Sequence, residues 1–158
     1  MKKTKVLFIS STGGHLSEMF QLKEMFKHYD YHIITEKTKN NLSLKNKYTN
    51  RISFLLYGTK HNMFTYPFIA IINFMLSIIF YFKYKPKFII TTGAHTCFPI
   101  CVIGHVFGSK IIYIETFANM HTKTMTGKFI YKIADKFIVQ WDNMLKLYPN
   151  ATYGGWIY

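Results

Sequence analysis

Two short loops hold the residues best suited to chemistry. The first, Ser10-Ser11-Thr12-Gly13-Gly14-His15, follows the apolar run Val6–Ile9 and precedes a helical pattern. Paired glycines allow a sharp turn and close approach of a ligand, and the start of the next helix offers free N–H groups to an anion. The second, Thr91-Thr92-Gly93-Ala94-His95-Thr96, closes another apolar run. Two such loops on one sheet edge form a pocket for phosphate or sugar hydroxyls, lined by Thr12, Gly13, Gly14, Gly93 and Thr96. His15 is the candidate base, because imidazole titrates near neutrality. Glu115, one of seven acids, ends the run Ile111–Ile114. It reads as a hydroxyl ligand or second candidate base, or else as a helix cap or lysine partner. The first loop taken alone also fits a plain capped turn. It lacks the Gly-x-Gly-x-x-Gly fingerprint, and no Gly-Lys-Ser/Thr follows, so ordinary dinucleotide or P-loop binding is disfavoured.

Cys97, Cys101 and His105 are spaced by four and would share a helix face. They sit in Cys-Phe-Pro-Ile-Cys-Val-Ile-Gly-His, which is too apolar for a ligand set. They read as small buried residues, and neither a metal nor another cofactor is expected. Two cysteines make no disulfide framework, which points to a reducing compartment.

The elements that would carry these loops alternate. Strands are expected at Lys5–Ser10, Tyr31–Thr35, Arg51–Tyr57, Lys87–Thr92, Lys110–Ile114 and Lys136–Gln140. Helices are expected at Leu16–Lys27, Cys97–Phe107, Gly127–Ala134 and Asp142–Leu147, and Lys37–Lys47 is polar with weak structure. Alternation implies parallel pairing through crossovers, hence an α/β Rossmann-like sheet flanked by helices. The 158 residues make one domain at ordinary domain size.

Met63–Phe82 has 16 of 20 residues in the hydrophobic set, with Lys60 and His61 before it and Lys83, Lys85 and Lys87 after. Its length would span a bilayer. Pro67, Asn73 and Ser77 interrupt it, and the sheet needs a crossover helix here. The favoured reading has one face on the sheet and another in the headgroup region, with Phe68, Ile72 and Phe80 toward lipid. Burial in the core and full spanning are the alternatives. Nineteen lysines and one arginine against seven acids give +13, which together with the apolar surface suits an anionic membrane. One arginine among 20 cations is poor for reading nucleic acid, so no nucleic-acid partner is expected. The amino terminus is not expected to be a signal peptide: its apolar run is four residues, against roughly 7–15 for a signal.

Four blocks together resemble a known family. They are Ser10–Met19, Tyr113-Ile-Glu115-Thr-Phe117, the stretch Thr126-Gly127 through Gln140-Trp141, and Tyr148-Pro149 through Tyr153-Gly154-Gly155. The chain resembles capsule and exopolysaccharide proteins of the CpsF/PssD type. These are related to the membrane-anchoring subunit of the bipartite N-acetylglucosaminyltransferase of the dolichol pathway. The resemblance implies the acceptor-side half of a GT-B glycosyltransferase, like MurG cut in two. A separate catalytic subunit would bind the UDP-sugar, and the acceptor would be an undecaprenyl-diphosphate-linked saccharide at the cytoplasmic face of the plasma membrane. Thr12, Gly13, Gly14 and His15 would face that acceptor. Gln140, Trp141, Tyr153, Gly154, Gly155 and Trp156 would meet the partner, tryptophan and tyrosine being common interface anchors. Asn119 departs from relatives that often carry arginine near this position, leaving Lys123 or Lys128 to meet phosphate. A two-domain enzyme needs roughly twice this length, so the chain alone is expected to be inactive. The rival reading is a non-enzymatic basic module binding membrane or nucleic acid.

Overall fold

The inner strands of the sheet are buried on both faces, which is why they read as unbroken apolar runs. In β1 (Lys5–Ile9), Leu7 and Ile9 point to one face while Val6 and Phe8 point to the other, as strand geometry requires. A computed structural model describes residues 3–58 and 64–157. Met63, Lys60 and His61, part of the expected apolar helix and its basic flank, lie outside them.

Seven parallel strands run in the order β3-β2-β1-β4-β5-β6-β7. They are β1, β2 (Asp30–Lys37), β3 (Ile52–Leu56), β4 (Phe88–Thr91), β5 (Lys110–Ile114), β6 (Lys136–Val139) and β7 (Thr152–Tyr153). The two-residue β7 was not expected, since two residues carry no readable period. Register places Ile9 beside both Ile34 and Thr91, so β1 sits between β2 and β4. The expected first helix divides: α1 (Gly14–Gln21) gives way to a 3₁₀ segment over Leu22–His28. Leu16, Met19 and Phe26 from this unit cover the Val6/Phe8 face. A one-turn helix, α2 (Leu44–Lys47), lies in the polar segment.

The opposite face is covered by α3 (Tyr66–Tyr84), α4 (Phe98–Val106) and α5 (Met125–Ile130). Here α3 is inside out. Its buried residues are Asn73, Ser77 and Tyr81. Asn73 Nδ2 donates to Leu56 O at 2.9 Å and its Oδ1 accepts from Leu56 N at 2.8 Å. Ser77 Oγ donates to Asn73 O, and Tyr81 OH lies 3.1 Å from Ser109 Oγ. Outward stand Phe68 (71% exposed), Ile71, Ile72, Phe74, Met75, Ile79 and Phe82. The polar residues that interrupt the apolar stretch are therefore its protein-facing seam. Phe80, expected on the outer side, is instead half-buried against the core and near Tyr84. Cys97 and Cys101 are buried and free, and no metal-holding cluster occurs among the described residues.

Candidate functional site

The chain order of the sheet reverses between β1 and β4, and such a switch point opens a crevice beyond the carboxyl ends of the strands. Both glycine loops emerge there and are stitched together. Ser11 N donates to Gly93 O at 3.2 Å, and Thr92 Oγ1 donates to His15 O at 2.7 Å. Gly13 caps α1 at φ +76°, and Gly93 lies at φ +97°, both in the region where a side chain is strained. A Cβ on Gly93 would also stand 3.2 Å from the His15 ring. Gly14 has no positive φ and open space beside it, so only a ligand's close approach would require glycine there.

His15 Nδ1 lies 2.7 Å from Thr92 O. A carbonyl only accepts, so Nδ1 carries a proton, and the tautomer with this bond has its lone pair on Nε2. With His95, Tyr113 and Thr124–Thr126, His15 lines a cleft of about 260 Å³. The buried Glu36, near the end of β2, was not singled out from sequence. Its Oε2 accepts from Thr12 N at 3.0 Å and its Oε1 from Thr96 Oγ1 at 2.5 Å. Asn41 Nδ2 donates to Thr12 Oγ1. His95 Nε2 stands 3.9 Å from Glu36. Thr96 is thus buried and bonded to Glu36 rather than turned to a ligand, and the backbone N–H of Thr12 is likewise occupied.

Glu115 does not fit the role of base. It is 1% exposed, and Thr124 Oγ1, Tyr148 OH at 2.9 Å and Thr116 N at 3.1 Å donate to its carboxylate. Burial raises its pKa even so, and pushes the Tyr148 and Tyr113 hydroxyls upward, keeping both phenols protonated. The carboxylate instead fixes Thr124, whose Oγ1 caps α5 by accepting from Gly127 N. Glu18 is a parallel case: Oε1 accepts from Thr116 Oγ1 and Phe117 N, while burial raises its pKa.

The carboxy-terminal block separates into two kinds of residue. Gln140 is buried, donating to Glu115 O and accepting from Ile157 N, so it ties chain segments together rather than facing outward. Phe117, Trp141 and Trp156 form an aromatic cluster with centroids 4.8 to 5.5 Å apart. Trp141 Nε1 donates to Phe117 O, whereas Trp156 (59% exposed) and Tyr153 face outward. Gly154 is exposed and donates its N–H to Val139 O, and Gly155 lies at φ +71°.

A family model described as "Oligosaccharide biosynthesis protein Alg14 like" matches residues 6–157. The chain belongs to the Alg14-like family. Among curated proteins, this Alg14-like chain is 25% identical to the human UDP-N-acetylglucosamine transferase subunit ALG14, over 95% of this chain and 81% of that one. The Schizosaccharomyces pombe protein of the same description is 26% identical, again over 95% and 81%. Among solved structures, Acinetobacter baumannii MurG superposes with a TM-score of 0.70 at 14% identity, over 89% of this chain and 42% of MurG. The Rickettsia bellii UDP-N-acetylglucosamine 2-epimerase gives 0.70 at 14% identity, over 93% and 41%. The fold is therefore that of MurG-like, GT-B enzymes, and the Alg14-like chain spans about two-fifths of their length. The curated matches lie on the transferase-subunit side of the resemblance drawn from sequence. Neither the human nor the Schizosaccharomyces pombe relative carries a capsule or exopolysaccharide label.

Glu36 and His95 are the site residues that sequence reasoning missed. His95 lies inside the second glycine loop, which was a usable signal, whereas Glu36 draws its role from Thr12 and Thr96, distant in the chain.

Proposed function

We propose that this chain is the acceptor-side subunit of a two-chain glycosyltransferase. The complex moves N-acetylglucosamine from its UDP donor to a saccharide carried on a polyprenyl diphosphate. The observation that carries the reading is one of coverage. The chain aligns over 95% of its length with transferase subunits, yet covers 42% of MurG. The donor nucleotide then belongs to a separate chain seated above the carboxyl ends of the strands.

The cleft residues divide the work. The acceptor diphosphate approaches the Gly13–Gly14 backbone, where no side chain bars it, while Gly93 leaves room for the His15 ring. Lys123 and Lys128 supply positive charge at the rim. His15 Nε2 takes the proton from the acceptor hydroxyl as its oxygen attacks the sugar C1, and the UDP oxygen leaves with the bonding pair. That inverts the anomeric centre. Thr92 holds the ring in the tautomer that can accept. Trp156 and Tyr153 anchor the donor-binding partner, with Trp141 and Phe117 bracing Trp156 from below. The outward face of α3 rests in the cytoplasmic leaflet, aided by Lys83, Lys85 and Lys87. The lipid carrier in a capsule or exopolysaccharide setting is undecaprenyl diphosphate, a reading that rests on the sequence blocks around Gln140-Trp141 and Tyr153-Gly154-Gly155.

Reconstitution tests this. The purified chain alone should transfer no radiolabelled N-acetylglucosamine to a polyprenyl-diphosphate acceptor, and adding the partner chain should give a heterodimer with activity. Robust transfer by the isolated chain overturns the reading.

A further inference from the structure

The cleft that holds His15 adjoins a second one. Met125 lines both that cleft and a neighbouring one of about 460 Å³, bounded by Lys123, Lys128, Phe129, Lys132 and Tyr148. Met125 (63% exposed) and Phe129 (51%) are four apart on α5 and share its outer side. Across the gap, Phe98 at the start of α4 meets Phe129 edge-on at 5.7 Å. The three side chains form an apolar saddle between α4 and α5. Toward α3, Tyr66 stands 5.8 Å from His95 at the cleft, so the outward apolar face of α3 begins beside the same mouth.

We infer that this saddle binds the first isoprene units of the acceptor, guiding the chain from its diphosphate in the cleft to the α3 surface. The inference rests on the proposed function and adds to it a subsite for the lipid stem. The occupant follows from the chemistry on each side. Solvent-exposed sulfur and aromatic surface suit a flexible branched hydrocarbon. Lys123, Lys128 and Lys132 beside them suit an anion covalently joined to it. A sugar would ask for hydroxyl-bonding groups on the saddle, where Phe98, Met125 and Phe129 offer none. A peptide helix would meet three lysines at its flank. An isoprenoid diphosphate matches both halves at once, and the meeting of the two clefts at Met125 sets the order of its parts.

Binding of farnesyl diphosphate and of isopentenyl diphosphate to the full chain, followed by calorimetry, reads the stem directly. Wild type should prefer the longer chain. Phe129→Ser and Met125→Ser, both on exposed positions, should each reduce that preference about tenfold, the effect of removing one large apolar contact. Ile79→Ser, on the outward face of α3 away from the saddle, should keep it, which separates the saddle from general apolar stickiness. In the reconstituted pair, the same two variants should raise KM for a long-chain acceptor more than for a short-chain one. A preference that survives both saddle variants, or that falls equally with Ile79→Ser, overturns the inference while leaving the transferase reading intact. Failure of the pair to transfer to any polyprenyl-diphosphate acceptor overturns both.

Discussion

Phe68 on α3 offers a quantitative test of the membrane surface. It exposes 71% of its area to solvent. An aromatic side chain presents roughly 200 Å², so about 140 Å² is left to leave water when α3 settles into a bilayer. At about 25 cal/mol per Å² that amounts to about 3.5 kcal/mol, between two and three powers of ten in partition constant. Phe68→Ser should therefore lower binding to anionic vesicles by up to that factor, with the melting temperature nearly unchanged. Phe80→Ser is the internal contrast, because Phe80 packs against the core. It should lower the melting temperature and cost far less partitioning. Flotation with phosphatidylglycerol vesicles, run at low and high salt, measures both, and salt should weaken binding because lysines contribute. Wild-type flotation of Phe68→Ser, or an equal loss for Phe80→Ser, would refute the assignment of faces.

Replacing His15 with alanine should cost on the order of 10²-fold or more in turnover of the reconstituted pair, read by radiolabel transfer. Retained turnover would remove His15 as the base. Gly127→Ala should destabilise the chain by about 1–3 kcal/mol, as overpacking a buried site does, since its Cβ would fall on Glu115 Oε2, the Tyr148 hydroxyl and Thr124 Oγ1; thermal melts check this. Trp156→Ala should weaken the heterodimer by at least tenfold while sparing the fold, as the loss of an exposed interface aromatic would, with size-exclusion and titration as readouts. The Glu115 pKa is raised above its free value of 4.5 by burial. Protonation therefore favours the folded chain, and this group's contribution to stability declines as pH climbs from 4.5 through the raised value. Glu115→Gln should remove that component from the pH profile of urea unfolding.

The sheet was legible because its signals are local. Val6–Ile9 and Ile111–Ile114 are buried on both faces, and their lengths fit strands. The glycine loops were legible for the same reason, since a turn after a strand needs few residues and glycine marks it. Glu36 was opaque because its meaning depends on Thr12 and Thr96, 24 and 60 residues away. Glu115 and Gln140 sit in the right place but face inward, and chain position alone does not tell a ligand from a brace. The orientation of α3 was half visible. Asn73, Ser77 and Tyr81 recur every four residues, a polar seam on an apolar cylinder. Counting hydrophobic residues concealed that seam, and with it the inward turn of Phe80.

The clasp of Asn73 on Leu56 has a consequence for the chain before it reaches any membrane. β3 is an outer strand, and a strand at the margin of a sheet offers its free N–H and C=O groups to any passing copy of itself. The Asn73 amide presents one donor and one acceptor to the last residue of β3, just as a neighbouring peptide unit would. A helix side chain thus stands in for the missing strand at that end and removes a template for fibrous pairing. The protection comes from the inner seam of α3 and owes nothing to lipid.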